Sequence, residues 1–179
     1  MCVYVDGFVS FHVLTSCASF RSQPIHRAQA WKIMLGYVPV NSSRRSKTAD
    51  RKRAEYLDAV AQHYDIDDNS RTLQEQETLR QVLVDVPRTA PDVGLFRNDR
   101  IRKSLTRLLY IWAMRHPASS YVQGINDLAT PFIAVFLMDY FPGRDVLDGT
   151  IMKEASDEIV AEVSMSKCPK EADHVLPSC

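Results

Sequence analysis

The sequence predicts an all-α fold, and three stretches carry that expectation. Between 99 and 116 the apolar residues Ile101, Leu105, Leu108, Leu109 and Trp112 recur at steps of four, three, one and three, with Arg100, Arg102, Lys103 and Arg107 largely outside the stripe. Between 56 and 64, Tyr56, Leu57, Val60, Ala61 and Tyr64 draw a second helical stripe. From 125 to 141 a strongly apolar run predicts a helix buried on most sides. At 179 residues and 45% hydrophobic content, the chain has the length of one domain and enough apolar side chains for a core.

In chain order, Met1 to Phe20 is apolar and β-branched, but Asp6, Gly7 and His12 interrupt it and no Lys or Arg precedes it. It reads as an atypical N-terminal segment, neither a membrane span nor a signal peptide. From His26 to Leu35, Ala28, Trp31, Met34 and Leu35 share one helical face, ended by Gly36 and Pro39. Arg44 to Arg53 holds six basic residues and leads into the second helix, with Thr48 as its expected N-cap. That cluster suits either an acidic or lipid partner or a solvated helix start. After the polar break 65–70, Leu73 to Leu79 reads as a helical or irregular lead. Val82, Val84 and Val86 then alternate with Leu83, Asp85 and Pro87, which reads as extended until Pro87 and Arg88 break it. Asp99 is the expected cap of the next helix, which stops at His116-Pro117. Asn126 or Asp127 is expected to cap the apolar helix through Phe141, bent near Pro131. Beyond it, Ile151, Ala155, Ile159 and Val163 offer one more amphipathic helix before a Pro-bounded polar end.

Composition removes several function classes. Lys+Arg and Asp+Glu balance at 22 each, so there is no overall steering toward nucleic acid. The cysteines Cys2, Cys17, Cys168 and Cys179 form no C-x-x-C and signal neither a zinc site nor a disulfide framework; a reducing compartment fits them best. Asn41-Ser42-Ser43 matches a glycosylation acceptor, the one feature that favours secretion. No glycine precedes a lysine, so there is no Walker A loop, and neither G-x-S-x-G nor H-E-x-x-H occurs. An independent hydrolase is therefore a poor reading.

Arg88 follows a proline and precedes Thr89-Ala90-Pro91, so its backbone is restrained on both sides and a long cation sits on a stiff stalk. Gln123 lies just before Gly124, which can turn the chain into the apolar helix. An arginine and an amide on two short rigid loops suit the stabilisation of a phosphoryl-transfer transition state. The same residues also admit a plainer reading, in which Arg88 caps a carboxylate and Gln123 is a surface amide.

Val82-x-x-Asp85-x-x-Arg88 followed by Tyr121-x-Gln123 resembles the paired IxxDxxR and YxQ motifs of the TBC-domain family, GTPase-activating proteins for Rab GTPases. AWKIMLGYVPVN, RQVLVDVPRTAP and IWAMRHPASSYVQGINDLATPF are similar to that family's helix and loop sequences, and Arg27 to Trp31 resembles its R-x-x-x-W. The Gly-x-Pro usual ahead of it is here only Ser22-Gln23-Pro24.

The resemblance implies a multi-helix TBC-like domain over 23–142, between the atypical segment 1–22 and a divergent tail 143–179. It spans less than the family's full run of helices, which implies a domain truncated at its C-terminal half. Leu108, Trp112, Ile133, Phe136 and Leu137 are then expected to be exposed in part. Functionally, the resemblance implies a GTPase activator with no substrate chemistry of its own. Arg88 is the implied arginine finger and Gln123 the glutamine finger, supplied in trans to a Rab-family GTPase that holds GTP and magnesium itself. Asp85 and Tyr121 are supports: Asp85 fixes the loop, and Tyr121 packs while its hydroxyl or backbone meets the GTPase. Asn126 reads as a helix cap rather than a contact. No cofactor, metal, nucleic acid or transmembrane segment is expected. The expected location is cytoplasmic, with recruitment to Golgi or endosomal membranes through Rab. The alternative implied by the truncation is a catalytically silent helical module that binds Rab or a related protein.

Overall fold

The helix expected at 99–116 is the axis of the fold. The computed structural model describes residues 24–155. Among these, six α-helices follow in order: α1 (Pro24–Met34), α2 (Arg45–His63), α3 (Leu73–Asp85), the single turn α4 (Gly94–Arg97), α5 (Asp99–Arg115) and α6 (Ile125–Met138). 3-10 turns occupy Ser42–Arg44, Asp68–Ser70, Val86–Arg88 and Thr150–Lys153, and no described residue lies in a strand. The segment 1–22, the four cysteines, Ile159 and Val163 lie outside the described residues.

α5 packs against α2, α3, α4 and α6, and α1 lies on α6. One stripe cannot serve four neighbours, and α5 is buried well beyond the stripe read from its sequence. Ile101, Leu105 and Leu109 enter the main core with Val82, Leu95, Ile133 and Leu137, while Tyr110 and Ile111 pack with Ala59 and Val60 of α2. The helix is capped one residue earlier than expected. Asn98, in extended backbone, accepts the Arg100 N–H (2.9 Å), and Asp99 instead puts its charge in the first turn, where the helix dipole favours it.

α3 departs most from the sequence expectation. The alternation of Val82, Val84 and Val86 is not a strand; these residues end a 13-residue helix and begin the 3-10 turn after it. Its start carries a capping box: Thr72 Oγ1 accepts the Glu75 N–H (3.2 Å), and Glu75 Oε2 accepts the Thr72 N–H (2.7 Å). From that start Thr78, Val82, Asp85 and Val86 fall on one buried face, while Leu83 and Val84 are about half exposed. Valine's strand preference is weak beside a fixed helix start and an i, i+4, i+7, i+8 stripe.

α2 also starts earlier than expected. It begins at Arg45, entered from a 3-10 turn capped by the exposed Asn41, whose side chain accepts the Ser43 N–H (3.0 Å). Thr48, the expected cap, lies one turn inside and donates its hydroxyl to the Arg44 carbonyl (2.8 Å). The buried side of α2 carries Ala49, Arg53 and Val60, and leaves Leu57 and Ala61 outward. Part of the basic cluster serves the loop before the helix: Arg45 donates to the Pro39 and Val40 carbonyls, and Lys52 sits over the Tyr37 ring.

Arg71 joins α2 to α3. Its side chain is almost wholly buried and donates to the His63 carbonyl (2.5 Å), the Tyr64 carbonyl (2.7 Å), the Tyr110 hydroxyl (3.0 Å) and Asp68 Oδ1 (3.1 Å). A helix leaves its last carbonyls without partners, and here a guanidinium from the next element takes them.

α6 runs through Pro131 as one helix and ends at Met138, short of Phe141. Proline cannot donate to the Asp127 carbonyl, and the Thr130 hydroxyl does so instead (2.8 Å). α1 meets α6 through Trp31 packed edge-on against Phe132, at 5.4 Å between ring centres. Beside it, Lys32 is buried unexpectedly and pairs with Asp139 (3.4 Å).

Of the five residues expected to be partly exposed, Leu108, Trp112 and Phe136 are so, but Ile133 and Leu137 are buried. They share the main core with Val146, Ile151, Met152 and Ala155, because the chain after α6 folds back onto α4. The approach is backbone to backbone: the Leu95 N–H donates to the Leu147 carbonyl (3.0 Å), and a Cβ on Gly94 would stand 2.0 Å from the Asp148 carbonyl oxygen.

Candidate functional site

Arg88 and Gln123 reach the surface from two loops that α3 and α6 anchor. Arg88 closes the 3-10 turn Val86–Arg88 that ends α3, where Pro87 has no N–H to continue the α-helix. Gln123 lies between Tyr121 and Gly124, and Gly124 turns the chain into α6 at φ 103°. A positive φ of that size suits glycine. Both residues are exposed, and both line one shallow depression of about 160 Å³ with Arg80, Gln81, Val84, Asp85 and Tyr121. All four residues singled out in the sequence therefore line it.

Beneath the depression lies a closed set of hydrogen bonds. Arg88 donates Nε–H (2.9 Å) and Nη2–H to Asp85 Oδ1, while Tyr121 donates its hydroxyl to Asp85 Oδ2 (2.8 Å). Asp85 is nearly fully buried and Arg88 is 58% exposed, so a carboxylate inside holds a guanidinium outside. Burial pushes the Asp85 carboxyl up, but the bonds from Arg88 and Tyr121, with the Arg88 charge, outweigh it and hold the group below its ordinary value. The same burial, together with the adjacent carboxylate, pushes the Tyr121 phenol up. Tyr121 is accordingly turned inward, and its hydroxyl is used on Asp85 rather than presented to a partner.

Two residues not assigned to the site in the sequence complete this set. The Thr89 hydroxyl donates to the Asp85 carbonyl (3.0 Å) and accepts from Asn126 Nδ2 (2.9 Å). Asn126 Oδ1 accepts the Gly124 N–H (3.0 Å) and receives a longer contact from the Tyr121 hydroxyl (3.4 Å). Asn126 is thus neither the cap of α6, which begins after Gly124, nor a surface residue: it is 5% exposed and bonded across 37 residues to Thr89. Asp127 is also not that cap; it stands in the first turn. Such long-range bonds leave no periodic trace in a single sequence.

Chemically, the depression offers a permanently charged planar donor beside a neutral amide. Asp85 takes two of the five guanidinium N–H donors and leaves the others for a partner. Among the described residues no group of three His, Cys, Asp or Glu side chains is placed to hold a metal ion.

This is a helical domain that carries an arginine loop and a glutamine loop braced against each other. The chain belongs to the Rab-GTPase-TBC domain family, whose model matches residues 24–142. It is 44% identical over 138 residues to the GTPase-activating protein GYP1 of Saccharomyces cerevisiae, covering 77% of this chain and 21% of that protein. It is 46% identical over 114 residues to TBC1 domain family member 22B of Homo sapiens, covering 64% of this chain and 22% of that one. The crystal structure of the Ypt/Rab-GAP domain of Gyp1p is similar with a TM-score of 0.72 at 39% identity, over 79% of this chain and 44% of the other. The chain spans about a fifth of the length of these two full relatives.

Proposed function

We propose that this chain stimulates GTP hydrolysis by a Rab-family GTPase, supplying Arg88 and Gln123 in trans. The observation that carries the reading is their placement: both are exposed on one depression, on loops joined beneath it through Asp85 and Tyr121. The GTPase holds GTP and magnesium and hydrolyses slowly, because charge developing between the β- and γ-phosphates lacks a full set of donors. Arg88 supplies a planar cation to that charge, and Gln123 orients the attacking water. Asp85 and Tyr121 are supports that set the arginine loop. An arginine finger contributes about 10³ to 10⁵ in rate, or roughly 4 to 7 kcal/mol of barrier.

The chain needs no cofactor of its own in this scheme. It works in the cytoplasm and meets Golgi or endosomal membranes through the GTPase. No helix among the described residues is long and apolar enough to cross a membrane. Single-turnover GTP hydrolysis by a panel of Rab GTPases, with and without the chain, tests the reading. Acceleration of at least one member supports it. Binding without acceleration would identify a silent module instead.

A further inference from the structure

We propose that Thr89 and Asn126 are positioning residues whose mutual hydrogen bond sets the arginine loop and the glutamine loop in register. The inference rests on the activator reading for its catalytic consequence, but its structural basis is independent of it. Arg88 lies between two attachment points, Asp85 through its side chain and Thr89 through the next residue. Gln123 likewise lies between Tyr121 and Gly124, and both are attached to Asn126 Oδ1. The Asn126 Nδ2 to Thr89 Oγ1 bond joins the second pair to the first, and Tyr121 to Asp85 is the other crossing. With two crossings, neither loop slides without breaking a buried bond. Loss of one leaves a hinge about the other.

The donor and acceptor roles are determined. Thr89 gives its single hydroxyl proton to the Asp85 carbonyl, so toward Asn126 it is an acceptor only. Asn126 faces the Gly124 N–H with an oxygen and Thr89 with an amide nitrogen, an orientation that an aspartate cannot reproduce. Ala90 and Ser120 hold positive φ values of 42° and 51°, one beyond each loop. Non-glycine residues keep such conformations only where neighbouring structure enforces them, so the chain is constrained immediately beside Thr89 and Tyr121.

The test uses the full chain with Thr89→Val, Thr89→Ser and Asn126→Asp. Asn126→Asp keeps the acceptor for Gly124 and turns an acceptor on Thr89; it removes the crossing together with the longer Asn126 Nδ2 bond to Asp127 Oδ1 (3.3 Å) and adds a buried charge, so Thr89→Val is the variant that decides. In single-turnover hydrolysis with the responsive Rab GTPase, Thr89→Val and Asn126→Asp should lower the saturated rate by about tenfold to a hundredfold. The half-saturating concentration should stay within about twofold, because the docking surface is unchanged. Thr89→Ser should restore the rate.

Backbone hydrogen exchange supplies the readout that does not depend on activity. In Thr89→Val, exchange should rise together in 86–90 and 120–125, with α5 unchanged. Coupled loosening in a chain that accelerates no GTPase would leave the positioning role standing and sink the activator reading. Wild-type rates in a folded Thr89→Val chain, failure of Thr89→Ser to rescue, or exchange rising in one loop alone would overturn the proposal.

Discussion

Tyr121 gives its hydroxyl proton to Asp85 across 36 residues of chain, at 2.8 Å, and one buried carboxylate thereby holds both the phenol and the guanidinium of Arg88. Tyr121→Phe removes one of the bonds that outweigh burial at Asp85, so this carboxyl should titrate higher than in the wild type. A carboxyl depressed in the folded state contributes stability above its unfolded value, here near 3.8, and loses it as the pH falls through the lower folded value. The acid limb of the stability profile should therefore move up in pH in Tyr121→Phe. At pH 7 the variant should lose about 1–3 kcal/mol for the unsatisfied acceptor. Urea melts from pH 2 to 7 check both, and an unmoved acid limb would contradict the account.

Arg88→Ala and Arg88→Lys should abolish stimulation of hydrolysis while leaving helical content intact, since the guanidinium is largely exposed and its proposed task is transition-state charge. Gln123→Ala should do the same through the attacking water. Circular dichroism beside the single-turnover assay separates the roles. Helical signal lost together with activity would make Arg88 structural, and full activity in Gln123→Ala would remove the second finger.

Lys32 and Asp139, 2% and 8% exposed, form a buried ion pair at 3.4 Å between α1 and the end of α6. Lys32→Met alone should cost about 3–5 kcal/mol, because it strands a carboxylate, whereas Lys32→Met with Asp139→Leu should be near neutral or stabilising. Burial pushes the Asp139 carboxyl up, and Lys32 offsets part of that rise. Without Lys32 the group should rise further, and a raised folded value means stability is lost as the pH rises through it. Lys32→Met should therefore be least destabilised in acid. A double-mutant cycle of thermal melts at pH 4 and pH 7 reads both effects.

Gly94→Ala should be among the more destabilising single-methyl changes in the chain. The added carbon meets the Asp148 backbone rather than a side chain that can turn away. A loss at or above the top of the ordinary 1–3 kcal/mol range for overpacking is expected. Gly143→Ala is the control. It has nothing within 4 Å of the new carbon and only a φ of 76° to strain it, so a cost of about 1 kcal/mol is expected. Equal melting temperatures for the two variants would show that the chain after α6 yields to the clash.

α5 was legible because its start, periodicity and stop agree, from Asn98-Asp99 through Leu109 to His116-Pro117. The end of α3 is hard to read because the alternation of Val82, Val84 and Val86 mimics a strand, while the start signal Thr72-x-x-Glu75 lies ten residues earlier. Leu57 was placed inward because periodicity does not reveal that the Ala49, Arg53 and Val60 side of α2 meets α5. At the candidate site the residues with motif spacing, Arg88 and Gln123, stood out. Thr89 and Asn126 did not, since their pairing exists only once α3 and α6 lie side by side.

Arg71 sits at one end of α3 and Asp85 at the other, and a 13-residue helix between them is roughly 20 Å long. A rigid rod of that length magnifies error. A tilt of about 3° where Arg71 grips the His63 and Tyr64 carbonyls becomes about 1 Å at the arginine loop. Displacements of that size can separate a productive encounter from an idle one, by about a hundredfold. In the proposed activator role the aim of the Arg88 guanidinium would then depend in part on the far end of a lever, on a side chain that does not line the depression.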